Sequence, residues 1–273
     1  MLRLLLFLGV LTTGGWLGLE TIEAKVIYPF DAKRVTPQAA DVDAREVIQT
    51  RDGEIAIIWV AEPARDKPVI LYFHGNAGNL AMRAGRFEHF RAQGYGLIAP
   101  AYRGSSGSTG RPSETTITAD MLDLYANLDA LIPGLTPARV IFYGESLGTG
   151  VAVKLAAIAP QGQPAGVILE APYASLPAVV RDSIPQLSSL IPQMTSIWDS
   201  AAHAKKLRAP LLVIHGKKDP LIPIAQGRVV FDAAGSRQKR FLAVRGAGHH
   251  NVWRRTVLPQ MWAFIDAQAE RMR

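Results

Sequence analysis

Gly144-Glu145-Ser146-Leu147-Gly148 offers a nucleophile in a Gly-x-Ser-x-Gly setting, and the chain around it decides what that serine could do. The run Val140-Ile141-Phe142-Tyr143 reads as a strand that ends at Gly144, and residues 147–159 read as a helix. A strand that turns sharply into a helix forces its first turn residue into a strained backbone. It also lifts the side chain above the sheet, and the flanking glycines let neighbouring backbone pass. The helix N-terminus then favours negative charge as it develops. This is the setting for attack on an acyl carbon. The competing reading is a small serine in a Gly-rich turn.

A serine hydroxyl needs a base within hydrogen-bond reach and an acid that orients the base. The strand run Leu211-Leu212-Val213-Ile214 is followed by His215-Gly216-Lys217-Lys218-Asp219-Pro220, so Asp219 sits just beyond a strand end. Asp199 and Asp232 are rivals, but one falls in a long insertion and the other in a helical pattern. The last strand run ends at Val244 and leads into Gly246-Ala247-Gly248-His249-His250, where either histidine could serve as base. Gly248, directly before His249, is expected to relieve crowding where the loop turns the ring. His74 and His215, each followed by glycine at a strand end, are read as fixing loop geometry. A tetrahedral oxyanion needs donors: the backbone N–H of Leu147, and one from the loop His74-Gly75-Asn76-Ala77-Gly78-Asn79. Asn76 is the first choice there and Ala77 the second.

These residues need a scaffold. Short continuous apolar runs (69–73, 95–99, 140–143, 167–169, 211–214, 241–244) alternate with helical stretches (81–93, 116–131, 147–159, 226–234, 256–272). Unbroken apolar runs mark strands covered on both faces, and the alternation implies a mostly parallel sheet with helices on both sides. Ligands in such sheets sit beyond the carboxyl ends of the strands, where the residues above fall. Residues 46–60, with Asp52-Gly53 between apolar stretches, read as an antiparallel hairpin at the sheet edge. Residues 172–206 are longer than an ordinary connection and read as a lid, with Leu176, Val179, Val180, Ile184, Leu187, Leu190, Ile191 and Met194 able to touch an acyl chain or pack on the core.

The chain has 273 residues, no cysteine and a net charge of +7. One α/β domain accommodates that length. The missing cysteine excludes disulfides, a thiol nucleophile and thiolate metal sites. No P-loop pattern and no His-Glu-x-x-His occurs, so no metal or organic cofactor is implied. The basic residues form no stripe with interleaved aromatics, so no nucleic-acid partner is expected; the charge suits solubility or an anionic membrane or substrate. Residues 4–19 carry no charge. As a helix they would span about 24 Å, short against a bilayer core of about 30 Å. An uncleaved anchor with the domain outside the cytoplasm is the favoured reading. A cleaved signal, giving a secreted or periplasmic chain, is the alternative, with Ile22-Glu23-Ala24 a poor cleavage site. The domain expectation is therefore an anchor or signal in 1–27 and a catalytic domain in 28–273.

Together with Tyr102-Arg103-Gly104-Ser105-Ser106-Gly107-Ser108, the motifs at 74–79, 144–148, 215–219 and 248–249 resemble one branch of the α/β-hydrolase superfamily. That branch often has an N-terminal membrane segment and includes protein depalmitoylases; serine aminopeptidase-type hydrolases are also similar. The resemblance covers about 28–267. It implies an α/β-hydrolase fold and Ser146, Asp219 and His249 as a triad, with Arg103 and Pro112-Ser113-Glu114 as structural loop elements. His250 departs from the pattern, since relatives often carry Asn or another polar residue there. The expected activity is hydrolysis of an ester or thioester, with a small-molecule, acyl or lipid-like substrate, through an acyl-enzyme. A peptidase on the same triad and a non-catalytic, membrane-held binding protein are the alternatives.

Overall fold

A computed structural model describes residues 25–270. Of the segment 1–27 expected to act as an anchor or signal, residues 1–24, with the uncharged run 4–19, lie outside the described residues. Among them, no helix is long and apolar enough to cross a membrane.

Eight strands form one sheet in the order β1-β2-β4-β3-β5-β6-β7-β8. They are β1 Arg45–Arg51, β2 Glu54–Ala61, β3 Val69–Phe73, β4 Gly96–Pro100, β5 Val140–Glu145, β6 Gly166–Glu170, β7 Leu211–Gly216 and β8 Lys239–Val244. β1 and β2 form the expected edge hairpin, turning at Asp52 and Gly53, and β2 meets β4 antiparallel. Every other neighbouring pair is parallel. The helices are α1 Ala84–Ala92, α2 Glu114–Ala126, α3 Leu128–Leu131, α4 Leu147–Ile158, α5 Leu176–Ser183, α6 Ser200–Ala204, α7 Ile224–Ala233 and α8 Leu258–Glu270.

The sheet is apolar on both faces because both are covered. In β3, Val69, Leu71 and Phe73 join one core with residues of α2, α4 and α7, while Ile70 and Tyr72 join a second with Phe87 and Phe90 of α1 and Met261 and Ile265 of α8. Alternate side chains of β5, β6 and β7 divide the same way. This explains why the strands read as continuous apolar runs rather than alternating ones.

Two helical stretches are subdivided. Residues 80–83 form a 3-10 turn before α1, with the Asn79 side chain accepting from the Met82 N–H. The stretch at 116–131 breaks at Asn127 into α2 and α3. Asn127 leaves helical geometry while its own side-chain amide donates to the Asp123 carbonyl. Local side-chain hydrogen bonds of this kind compete with the helix. In the insertion at 172–206, neither α5 nor the 3-10 segment Pro185–Gln193 has a buried residue.

Candidate active site

Ser146 stands where β5 gives way to α4, with φ +51° and ψ −115°. Positive φ is strained for a residue with a Cβ, at a cost of roughly 1–3 kcal/mol. The surroundings hold it there: the Ser146 N–H donates to the Glu170 carbonyl at 2.9 Å, and the Thr149 N–H donates to the Ser146 carbonyl at 2.9 Å. The two flanking glycines have separate steric causes. A Cβ on Gly144 would lie 2.6 Å from the Gly148 carbonyl oxygen, and one on Gly148 would lie 2.0 Å from that of Phe73. Gly148 therefore lets α4 start directly against the end of β3, where the loop with Asn76 begins.

Asp219 and His249 reach Ser146 from the loops after β7 and β8. The His249 Nδ1–H donates to Asp219 Oδ2 at 2.8 Å, and His249 Nε2 lies 3.0 Å from Ser146 Oγ. The carboxylate thus fixes the tautomer that leaves Nε2 free to accept the serine proton. Asp219 Oδ1 accepts from the N–H groups of Leu221 and Ile222, each at 2.9 Å. Burial pushes the Asp219 carboxyl up, but hydrogen bonds from His215, His249 and the Ile222 N–H outweigh it and hold the group below the usual carboxylate range. It remains ionised wherever an imidazole titrates. Asp199, one rival acid, instead caps α6 by accepting from the Ala202 N–H.

His215 is fully buried beside this acid. Its Nε2–H donates to the Ile222 carbonyl at 2.9 Å and lies 3.5 Å from Asp219 Oδ2. It braces the turn that carries Asp219, as its place before glycine suggested. A Cβ on Gly227 would come within 2.4 Å of His215 Nδ1, so α7 needs glycine there to accommodate the ring. His74 likewise stays in its loop: Nδ1–H donates to the Gly75 carbonyl, and burial and Arg83 push its imidazole down to about 3.

Where the loops after β7 and β8 meet, the glycine without room is Gly216, the last residue of β7, and not Gly248 as expected. A Cβ on Gly248 would meet nothing closer than 3.6 Å, whereas one on Gly216 would sit 2.2 Å from the Gly248 carbonyl oxygen. The two loops pack backbone to backbone, with Lys218 N–H donating to the Ala247 carbonyl at 2.8 Å.

Sequence reading missed the polar cluster behind the serine. Glu145 is buried and accepts from Tyr72 Oη at 2.7 Å, Arg83 Nε at 3.2 Å and Arg83 Nη2 at 3.3 Å. Burial pushes its carboxyl up, yet the Arg83 and Arg86 charges and these hydrogen bonds bring it down to about 2. Arg83 Nη1 also donates to the carbonyls of Ala77 and Asn79. One guanidinium therefore ties the residue before Ser146 to the loop of Asn76. Arg86 pairs with Glu170, whose carbonyl holds the Ser146 N–H, and Glu170 also accepts from Tyr143 Oη and from Trp253 Nε1 at 3.0 Å. Arg83→Lys keeps the charge but not the fork that spans both partners. It should lower kcat by roughly ten- to a hundredfold, the scale expected for about an ångström of misplacement, with KM little changed. Steady-state kinetics on an ester checks this; an unchanged kcat would reduce Arg83 to a stability role.

The expected loop residues also find their places. Arg103 pairs with Asp120 through Nε at 2.8 Å and Nη2 at 2.9 Å, and Ser113 opens α2 with a capping box. Glu114 receives Lys154 Nζ and the N–H groups of Ile197 and Trp198, anchoring the end of the insertion. Asn76 and Ala77 are both exposed in their loop.

Residues 68–190 match the family described as alpha/beta hydrolase fold, and residues 187–252 match the family described as serine aminopeptidase, S33. The alpha/beta hydrolase domain-containing protein 17B of Homo sapiens is 30% identical over 217 residues, covering 77% of this chain and 71% of that protein. The lysophosphatidylserine lipase ABHD12 of Danio rerio is 27% identical over 245 residues, covering 77% and 63%. The structure of an esterase from Pyrococcus furiosus superposes with a TM-score of 0.71 at 18% identity, covering 89% of this chain and 97% of that one, and shows the same fold. With its sheet order, its strained serine between β5 and α4 and these matches, the chain belongs to the α/β-hydrolase family.

Proposed function

We propose that the chain is a serine hydrolase that cleaves an ester or thioester of an acyl or lipid-like substrate through an acyl-enzyme. One observation carries this reading: the continuous hydrogen-bonded series from Asp219 through His249 to Ser146 Oγ. His249 Nε2 takes the Ser146 proton as Oγ attacks the acyl carbon. The tetrahedral oxyanion is held by the N–H of Leu147, left unpaired by the first turn of α4, and by the N–H of Asn76. Collapse of the intermediate breaks the bond to the leaving group, which takes its proton from His249. Water, deprotonated by His249, then attacks the ester on Ser146 and releases the acid and the free serine. Asp219 stays ionised and stabilises the imidazolium.

The half-exposed apolar side chains of the insertion favour an acyl group, and the lipase among the relatives points the same way. The match to the serine aminopeptidase family favours a second reading, a peptidase on the same three residues. A chain-length series of p-nitrophenyl esters and acyl thioesters, run beside aminoacyl amides, separates the two. We expect kcat/KM to rise with acyl length and aminoacyl amides to be poor substrates. Faster cleavage of the amides would favour the peptidase, and no labelling by a fluorophosphonate probe would leave only a binding protein.

A further inference from the structure

The positive charge of this chain is concentrated in one stretch of the fold. Residues 205–255 carry twelve Lys or Arg against two Asp, a surplus of ten; the whole chain is only +7, so the remainder is net acidic. One of those two Asp is Asp219, already engaged by His249 and His215. Among the described residues, the Lys or Arg of every ion pair lies between Arg34 and Lys154. None of the twelve forms an ion pair with a carboxylate among the described residues.

Five of them stand at the carboxyl ends of β7 and β8, on the loops that carry Asp219 and His249: Lys217, Lys218, Arg245, Arg254 and Arg255. The loops are locked together, with Lys217 N–H donating to the Val244 carbonyl at 3.0 Å and Arg254 donating to the carbonyls of Arg245 and Gly246. Apolar surface adjoins them. Leu221 is 51% exposed, and the Ser183 hydroxyl donates to its carbonyl, joining this rim to the insertion with its half-exposed Ile184, Leu187 and Ile191.

We propose that this rim docks on an anionic lipid bilayer, which turns the mouth of the Ser146 site toward the membrane surface. Cations beside exposed aliphatic side chains match a charged headgroup layer over hydrocarbon. A single-stranded nucleic acid would be held by stacking on aromatic faces, and among the described residues no large exposed apolar side chain is aromatic. The docking uses the folded domain and does not depend on what the site hydrolyses.

The chain has no cysteine, so a single Leu221→Cys carrying an environment-sensitive fluorophore reports on the rim alone. The full chain is mixed with vesicles of phosphatidylcholine, with or without phosphatidylserine. The fluorophore should become buried on phosphatidylserine vesicles only, and high salt should release it. Each cation near such a surface strengthens partitioning by roughly fivefold. Lys217→Glu/Arg245→Glu/Arg255→Glu should therefore weaken it at least tenfold. Lys205→Glu/Lys206→Glu/Arg237→Glu, at the opposite strand ends, should change it less than threefold. Equal burial on neutral vesicles, equal loss in the two triple variants, or tight binding of DNA without burial on lipid would each overturn the proposal. If the rim variant fails to fold, the lipid and salt dependence of the otherwise native chain decides alone.

Discussion

Ser146→Ala should leave the fold in place and reduce ester turnover below about a thousandth of wild type, because removing a nucleophile of this kind usually costs more than that. The substitution deletes only Oγ and its 3.0 Å contact with His249 Nε2. The bonds that fix the strained turn are backbone ones, to the Glu170 carbonyl and from the Thr149 N–H, and alanine keeps both. Alanine also has a Cβ, so it neither relieves nor adds to the strain of φ +51°. Melting temperature and circular dichroism should match wild type, while labelling by a fluorophosphonate probe should vanish. Residual turnover well above a thousandth, with a native fold, would mean that another group attacks the substrate and that Ser146 only shapes the turn.

The fate of individual residues shows what a sequence can carry. Ser146, Asp219 and His249 were legible because each follows a strand run by a few residues, and a parallel sheet delivers all such positions to one edge. The edge hairpin was legible from Asp52 and Gly53, both of which have positive φ in the turn. Arg83 was not. In the stretch 81–93 it looks like any charged residue on a solvated helix face, and its burial depends on Glu145, 62 positions away, and on loop carbonyls. Glu145 and Glu170 share the difficulty: each ends an apolar run, where a charge reads as the strand's solvent-facing end. Their charged partners arrive from the 3-10 turn with Arg83 and from Arg86 of α1, and Trp253 joins from after β8, contacts that no periodicity records. Gly216 and Gly248 differ for a related reason. One follows His215 at the end of β7 and the other precedes His249 in a Gly-rich loop, and only the packing of the two segments reveals that Gly216 is the one without room for a Cβ.

His249→Ala should cost at least about 10³ in kcat and His250→Ala less than about tenfold, since only the base takes part in proton transfer. His249 is buried, with both ring nitrogens engaged by the two residues it must connect. His250 is exposed, and its ring meets that of His249 edge to face at 4.7 Å between centroids. Partial desolvation and the adjacent His249 both lower its imidazole, so at neutral pH it contributes packing rather than charge. Its loss removes one wall from the base and leaves the Asp219–His249–Ser146 series intact, which accounts for a small effect on kcat. Esters with good leaving groups should be used for both variants, so that proton donation to the leaving group does not mask the base step. Circular dichroism on each variant separates a chemical loss from collapse of the loop 246–251. A large loss in His250→Ala with His249→Ala nearly active would transfer the base to His250. Equal large losses in folded variants would mean that the two rings act as a unit, with the edge-to-face contact setting the orientation of His249 as firmly as Asp219 does.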